Sequence, residues 1–371
     1  MTSILYIGMD VHKDQYTLCC YSLEKDKLEY NQTIAPDYRL ILKYLEQIRI
    51  RRGNEIEFVC GYEAGCLGYT LYHQLTSRGV KCVILAPSTM GITNTNGIKN
   101  DKRDAKNIAR CLAFKTYSAV HVPTVEDEEV KEYIRMRNSQ KKALRVIKQQ
   151  INALVLRQGH RYDLGTNRWT GKHIKWLKAL DLGGVLQEAL LEYLITYEYL
   201  NDKIERLDKR IKELAGTQRY QEKVKKLCCL IGVKEHTALS MIVEIGDFAR
   251  FAKADKLAGF LGLVPGEQSS GSKQKRTGIT KAGNSHVRWL LIEAAQCYTR
   301  GTIGYKSKEL KKRQAGNTPE VIAYADKANE RLRRKFYRMV LKNKSQRNVA
   351  ATAVARELAC FMWGLMTENI V

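Results

Sequence analysis

The chain has 371 residues, 44% of them hydrophobic, and carries 63 Lys and Arg against 39 Asp and Glu, a formal net charge of +24. That length accommodates two or three domains with separate cores, and the apolar fraction excludes wholesale disorder. So large a positive excess is costly in self-repulsion unless a polyanion sits nearby, which points to nucleic acid ahead of a ribosome or a membrane surface without separating DNA from RNA.

In chain order, residues 4–10 (ILYIGMD) read as a strand, 16–22 (YTLCCYS) as a second after the polar turn DVHKDQ, and KLEYNQTI as the third strand of a meander. YRLILKYLEQI has apolar residues at helical spacing, and EIEFVCGYEA is a further strand. GYTLYHQLTSRG is a helix ended by its glycine, and VKCVILAP a buried strand stopped by Pro87. Three meandering strands followed by alternating helices and strands fit a ribonuclease-H-like or actin-like α/β sheet. A dinucleotide fold would open with βαβ and a glycine-rich turn.

Residues 125–158 form one long amphipathic helix pattern and 184–216 a second. Joined by a polar stretch with Trp169, Gly171 and Trp176, they suggest an antiparallel coiled-coil hairpin, either a dimerisation arm or a spacer, with a plain helical bundle as the bland alternative. Beyond Gly216 the chain alternates short apolar helices with glycine turns. IGVKEHTALSMIVEIG reads as half of a phosphate-gripping helix-hairpin-helix or as plain helical core. The tail from 301 to 348 is dense in Lys and Arg, including Arg331, Arg333, Arg334 and Lys335, and is assigned to nucleic-acid contact or subunit packing. An apolar helix, NVAATAVARELACFMWGLM, follows it. The expected domains are 1–124, 125–220 and 221–371.

Asp10 ends an apolar strand where burial should stop, and Glu63, flanked by Gly61 and Gly65, ends a later strand in the same way. Two such carboxylates side by side repel, and a divalent cation is the usual remedy. Asp101 and Asp104, three apart, share a helix face if a helix begins near Asn100. Capping explains Asp101 alone, but not a pair of acids among Lys99, Lys102, Arg103 and Lys106. A basic shell around paired carboxylates suits a phosphodiester held over two magnesium ions. In GLVPGEQSSGSKQKRTGITKAGNSHVR, small residues leave amides open and lysines can neutralise phosphate. Read blandly this loop binds phosphate; read sharply, Ser270 before Gly271 is a nucleophile that needs a base or metal to activate it. Lys273, Lys281, Asn284 and Arg288 are the candidate nucleic-acid contacts, and His236 and His286 are structural or DNA-facing.

The ten cysteines contain no C-x-x-C pair and mostly lie in apolar contexts, so reduced, buried thiols are expected. No run of roughly 18 apolar residues is found. The N-terminus reaches Asp10 without a basic segment, apolar run and small-residue cleavage site. A cytoplasmic protein without a membrane partner is the expectation.

GMDVHKDQ, CGYEAG and KNDKRDAKNIA, followed by LAGFLGLVPGEQSSGSKQKRTGITKAGNSHVRWLLIEAA, resemble the DEDD transposases of the IS-one-ten insertion sequences, a group that includes Piv-type DNA invertases. The resemblance runs in the same order over most of residues 4–300. It implies an N-terminal RuvC-like domain, a coiled coil and a mostly helical C-terminal transposase domain, in all an α/β plus α architecture. It implies Asp10, Glu63, Asp101 and Asp104 as Mg2+ ligands and Ser270 as nucleophile, with Ser269 as runner-up, forming a phosphoserine link to DNA. It further implies that the acids of one subunit complete a site with the serine of another, in a homodimer or homotetramer acting on double-stranded DNA. A structured guide RNA encoded beside the gene is also implied. The pattern departs at Ser272, where a second glycine is common. The rivals are a RuvC-like junction-resolving nuclease, in which water attacks, and a non-catalytic nucleic-acid-binding scaffold.

Overall fold

The meander forms as β1 (Ser3–Val11), β2 (Tyr16–Ser22) and β3 (Lys27–Ile34). After helix α1 (Tyr38–Arg52), capped by Asp37, the chain adds β4 (Ile56–Glu63), α2 (Thr70–Thr76) and β5 (Lys81–Leu85). The strands make one five-stranded sheet in the order β3-β2-β1-β4-β5. β1 pairs antiparallel with β2 and parallel with β4, which pairs parallel with β5. This mixed α/β sheet fits a ribonuclease-H-like fold. The computed structural model describes residues 3–53, 55–90, 101–267 and 276–370, which fall into two compact units, Met1–Val122 and Pro123–Val371.

Alternation along β1 decides what covers each face of the sheet. Leu5, Ile7 and Met9 are fully buried against Tyr44, Leu45 and Ile48 of α1 and Leu71 and Leu75 of α2. The opposite face carries Gly8, and there α3 (Asp101–Phe114) crosses β1, β2 and β4. A Cβ on Gly8 would sit 2.0 Å from the Ala105 carbonyl oxygen and 2.3 Å from the Ala109 amide. One on Gly61 of β4 would sit 2.8 Å from a Leu112 methyl. The two glycines let the α3 backbone lie directly on the sheet.

In the second unit, α4 (Val125–Arg157) is capped by Thr124 and runs antiparallel to α6 (Gly184–Ala215). Ile151 and Leu154 meet Leu190 and Leu194, Leu144 meets Leu200 and Ile204, and Arg137 grips Asp208 through two bonds of 2.7 Å. The stretch expected to be polar linker contains a helix, α5 (Gly171–Ala179), because Trp169, His173 and Trp176 pack with Tyr162 and Tyr197 into an aromatic cluster.

The rest is α7 (Gln221–Leu227), α8 (Glu235–Ile245), α9 (Ala254–Phe260), a hairpin of β6 (Pro265–Glu267) and β7 (Arg276–Ile279), α10 (Ser285–Ala295), α11 (Lys308–Gln314), α12 (Pro319–Tyr337) and α13 (Arg347–Thr367). Val130, Ile134, Ile211 and Ala215, at the roots of α4 and α6, share one core with α8, α10, α12 and α13. The turn between α7 and α8 faces that core. Ile231 N donates to Asn329 Oδ1 at 2.8 Å, and the Val233 carbonyl accepts from Arg313. These contacts, with α8 buried in the core, support the helical-core reading of this segment.

Part of the basic tail also serves the fold. Arg331 and Lys335 both bind Glu357 of α13, Arg334 pairs with Glu330, and Arg333, 7% exposed, donates to the Thr302 carbonyl. Arg331, Arg333 and Lys335 therefore staple α12 into the fold, while the Arg334 pair lies within the helix itself. Among the described residues α13 alone has the length and composition of a membrane span, but Ala350, Val354, Leu358 and Met362 are fully buried in the core. All ten cysteines are free thiols; Cys66 and Cys297 are exposed.

Gly8→Ala should destabilise the protein by about 3 kcal/mol, the upper end of overpacking costs, because backbone must move to admit the methyl group. Gly259→Ala, in α9 with open space around its Cβ, should be neutral or stabilising by up to about 1 kcal/mol. Denaturant midpoints check this; equal effects of the two changes would contradict it.

Candidate functional site

Asp10 stands at the C-terminal end of β1, on the face that Gly8 opens to α3. The last parallel pair of β1 and β4 is Met9 with Tyr62, so Asp10 and Glu63 occupy the next register position on the same face. Because α3 rests Ala105 on Gly8, its first turn, with Asp101 and Asp104, lies at this edge of the sheet. Acids in a first helical turn also suit the helix dipole. The β1–β2 connection closes through His12 N to the Gln15 carbonyl at 3.0 Å, and both side chains join the cluster. His12 Nε2 lies 3.3 Å from Asp10 Oδ2, and Gln15 Nε2 donates to Asp101 Oδ2 at 3.0 Å.

Ligand atoms of Asp10, His12 and Asp101 lie within 4.8 Å of one another. Asp10 has a side chain only 14% exposed, and its Oδ2 is sealed from water without a well-formed hydrogen bond; its close neighbour is the His12 ring. Burial lifts the Asp10 pKa above the usual carboxylate value. The nearby charges of Asp101 and Asp104 push the same way, against the pull of His12. Burial and like-charge crowding around an unsatisfied carboxylate oxygen suit a hard divalent cation, with an imidazole at the rim as a further donor. Of the four acids singled out in the sequence, Asp10 and Asp101 share this cluster. Asp104 acts on Asp10 through its charge, and Glu63 sits exposed at the adjoining strand end. His12 was missed. The available signal was its place two residues beyond Asp10, where alternation returns a side chain to the same face.

In the second unit, β6 and β7 pair Pro265 with Ile279 and Glu267 with Arg276. Ser269, Ser270 and Lys273 lie between these strands, outside the described residues. The base of the hairpin is tightly held. Thr280 N donates to the Val264 carbonyl at 2.9 Å and Lys281 N to that of Gly262 at 3.1 Å. Arg288 Nη1 donates to the carbonyls of Leu261 and Ala282, at 2.9 and 3.0 Å. Asn284 Oδ1 caps α10 by accepting from the amides of His286 and Val287, while its Nδ2 donates to Glu244. Asn284 and Arg288 thus spend polar groups on holding the hairpin base, and Lys281 is exposed.

Beneath this frame runs a polar chain anchored on the buried Glu244 and Asn138. Arg135 forks onto Glu244 at 2.7 and 2.9 Å, and Asn138, 4% exposed, bridges His236 and His286 at 3.1 and 3.2 Å. Burial pushes the His236 pKa down to about 4, with the Arg137 charge acting in the same direction.

Comparison with known proteins gives two matches along the chain. A model described as a transposase, of the IS110 DEDD type, matches residues 7–160, and one described as transposase IS116/IS110/IS902 family matches residues 224–312. The chain is similar to a putative transposase, y4qE, of Sinorhizobium fredii, 36% identical over 98% of this chain and 88% of the relative. It is also similar to the transposase for insertion sequence element IS1533 of Leptospira borgpetersenii, 32% identical over 92% of this chain and 98% of that one. The transposase for insertion sequence element IS1111A of Coxiella burnetii is 25% identical over 81% and 79%.

Two outcomes follow from these environments. Mg2+ at about 100 times its Kd should stabilise the protein by about 2.7 kcal/mol. Asp10→Asn should remove that gain while raising the metal-free unfolding temperature, since a crowded, half-buried charge is lost. Identical metal responses of the two proteins would rule out Asp10 as a ligand. His236 has a depressed pKa, so the unfolded chain binds its proton more tightly and stability falls as pH drops from about 6.5 towards 4, by about 3 kcal/mol in all. Thermal unfolding across that window should show a shallower decline for His236→Gln; parallel curves would refute the assignment.

Proposed function

Because the chain belongs to the IS116/IS110/IS902 family of transposases, we propose that it cuts and rejoins double-stranded DNA with a magnesium-holding acidic cluster and the hydroxyl of Ser270. The observation that carries the metal half of this reading is the sealed, unsatisfied Oδ2 of Asp10 among the ligand atoms of Asp101 and His12. Asp10 and Asp101 would hold the ion, with Asp104 adding charge at one side and Glu63 closing the site from the neighbouring strand. Magnesium bound there supplies charge stabilisation at the oxygens that enter and leave phosphorus.

Ser270 Oγ attacks the phosphorus and loses its proton to a nearby base. The bond from phosphorus to one deoxyribose oxygen breaks, and that oxygen takes up a proton. The resulting phosphoserine ester keeps the energy of the broken bond, so attack by a new DNA hydroxyl reseals the strand and frees the serine. Ser269 is the alternative nucleophile. The well-anchored base of the β6–β7 hairpin supports this role by fixing the ends of the segment that carries the serine. Lys273 and Lys281 supply charge to the DNA backbone. In this reading the first unit is RuvC-like, α4 and α6 form a coiled coil, and the protein works in the cytoplasm as a homodimer or homotetramer. It shares its serine chemistry with Piv-type invertases and is directed by a structured RNA, for which the net charge of +24 leaves ample electrostatic room.

Purified full-length protein should cleave target DNA in Mg2+, and Asp10→Ala should lower cleavage by about 100-fold or more while leaving DNA binding in place. Ser270→Ala should abolish the covalent protein–DNA adduct and rejoining. Cleavage that persists in Ser270→Ala without any adduct would replace the serine with water as nucleophile. RNA co-purifying as one discrete structured species is the expected companion result.

A further inference from the structure

A second constellation lies wholly within the helical unit. A pocket of about 510 Å³ opens between α4 and α10, lined by Arg135, Asn138, Ser139, Lys142, Asn284 and His286. Arg135, Ser139 and Lys142 fall at helical spacing on one face of α4. Ser139 and Lys142 are exposed, and among the described residues Lys142 has no carboxylate partner. The amides of His286 and Val287 are already taken by Asn284, so the donors that the pocket offers are side chains.

Hydrogen-bond chemistry fixes the state of His286. Arg137 can only donate, and its Nη1 lies 3.2 Å from one end of the Asn138 amide, which is therefore the oxygen. His236 Nε2 donates to that same oxygen at 3.1 Å. The amide nitrogen, a donor only, lies 3.2 Å from His286 Nε2, which must accept. His286 is therefore neutral with its proton on Nδ1; a second proton would set two N–H groups against each other. Burial pushes its pKa down, and the charges of Arg135 and Lys142 push the same way against the pull of Glu244.

An open pocket with an ammonium, a hydroxyl and a fixed imidazole N–H suits an anion. Its size and the basic excess of the chain suit one carried on a polymer backbone. We propose that the α4–α10 pocket binds a nucleic-acid phosphodiester, held by Lys142 and oriented by His286 Nδ1–H, with the exposed Ser139 hydroxyl turning from its 3.1 Å bond to the Arg135 carbonyl onto a phosphate oxygen. Arg135, bound to Glu244, adds positive charge behind it. This rests on the reading of the protein as a nucleic-acid enzyme and adds to it a backbone clamp made of residues other than the acidic cluster and Ser270.

The test measures binding of the full chain to a duplex DNA and to an RNA hairpin of matched length across a salt series. Lys142→Ala should weaken binding several-fold at low salt and reduce the slope of log K against log salt by about 1, the loss of one phosphate contact. Ser139→Ala should weaken binding less, and Lys209→Ala, on the exposed face of α6, should leave the slope unchanged. An effect of Lys142→Ala on one probe alone assigns the pocket to that nucleic acid; an effect on both assigns it to the shared backbone. A slope unchanged by Lys142→Ala, or reduced equally by Lys209→Ala, overturns the proposal. Strand cleavage by Asp10→Ala is read separately, so loss of the transposase reading and loss of the clamp give different results.

Discussion

The candidate site depends on how closely α3 can approach the middle of the sheet. Side chains normally hold a helix well above a strand. Here the missing Cβ atoms of Gly8 and Gly61 let the backbone at Ala105 and Ala109 rest on β1, and Leu112 rest on β4. That contact fixes the height of α3 and sets its first turn beside the C-terminal ends of two parallel strands. A helix one methyl group higher would carry Asp101 away from Asp10. The acidic cluster is therefore a consequence of packing at a residue with no chemistry of its own.

Crowding acids in this way has a cost. Two unit charges about 4 Å apart repel by about 4 kcal/mol at an effective dielectric near 20, a large share of the roughly 5–15 kcal/mol that keeps a domain folded. The fold relieves part of it locally: His12 stands over Asp10, and Gln15 donates to Asp101. The sealed Asp10 oxygen remains. A residual charge imbalance at the mouth of a strand edge, beside a helix start whose sequence also carries Lys102, Arg103 and Lys106, supports a site that meets a cation and a phosphate together.

The helical unit uses its basic residues in two ways. Some serve the fold: Arg137 with Asp208, Arg219 with Asp127, and Arg331 and Lys335 with Glu357 tie helices that are distant in sequence. The same logic governs the run GITKAGN, where a Cβ on Gly283 would fall 1.9 Å from the Phe260 carbonyl and Arg288 ties together the carbonyls of Leu261 and Ala282. These contacts hold both ends of the β6–β7 hairpin. Others, such as Lys142 and Lys281, stay at the surface, so the charge available to nucleic acid is smaller than a count of Lys and Arg suggests.

Local periodicity made the meander, the long helices α4 and α6 and the strand-end position of Asp10 legible from the residues alone, because strand alternation and helical spacing are properties of neighbours in the chain. Asp101 and Asp104 were legible as a helix-start pair for the same reason, and the SG and GITKAGN motifs pointed to the transposase family. Only the tertiary structure decided which acids meet. The β1–β4 register puts Glu63 beside Asp10 yet leaves it exposed, while a two-residue turn brings in His12. It also decided that Asn284 and Arg288 hold backbone, that the tail arginines face Glu357 and Thr302, and that Asn138 dictates the proton on His286. Each of these depends on a distance between residues far apart in the chain, set by close contact and by the matching of donors to acceptors, which no local pattern encodes.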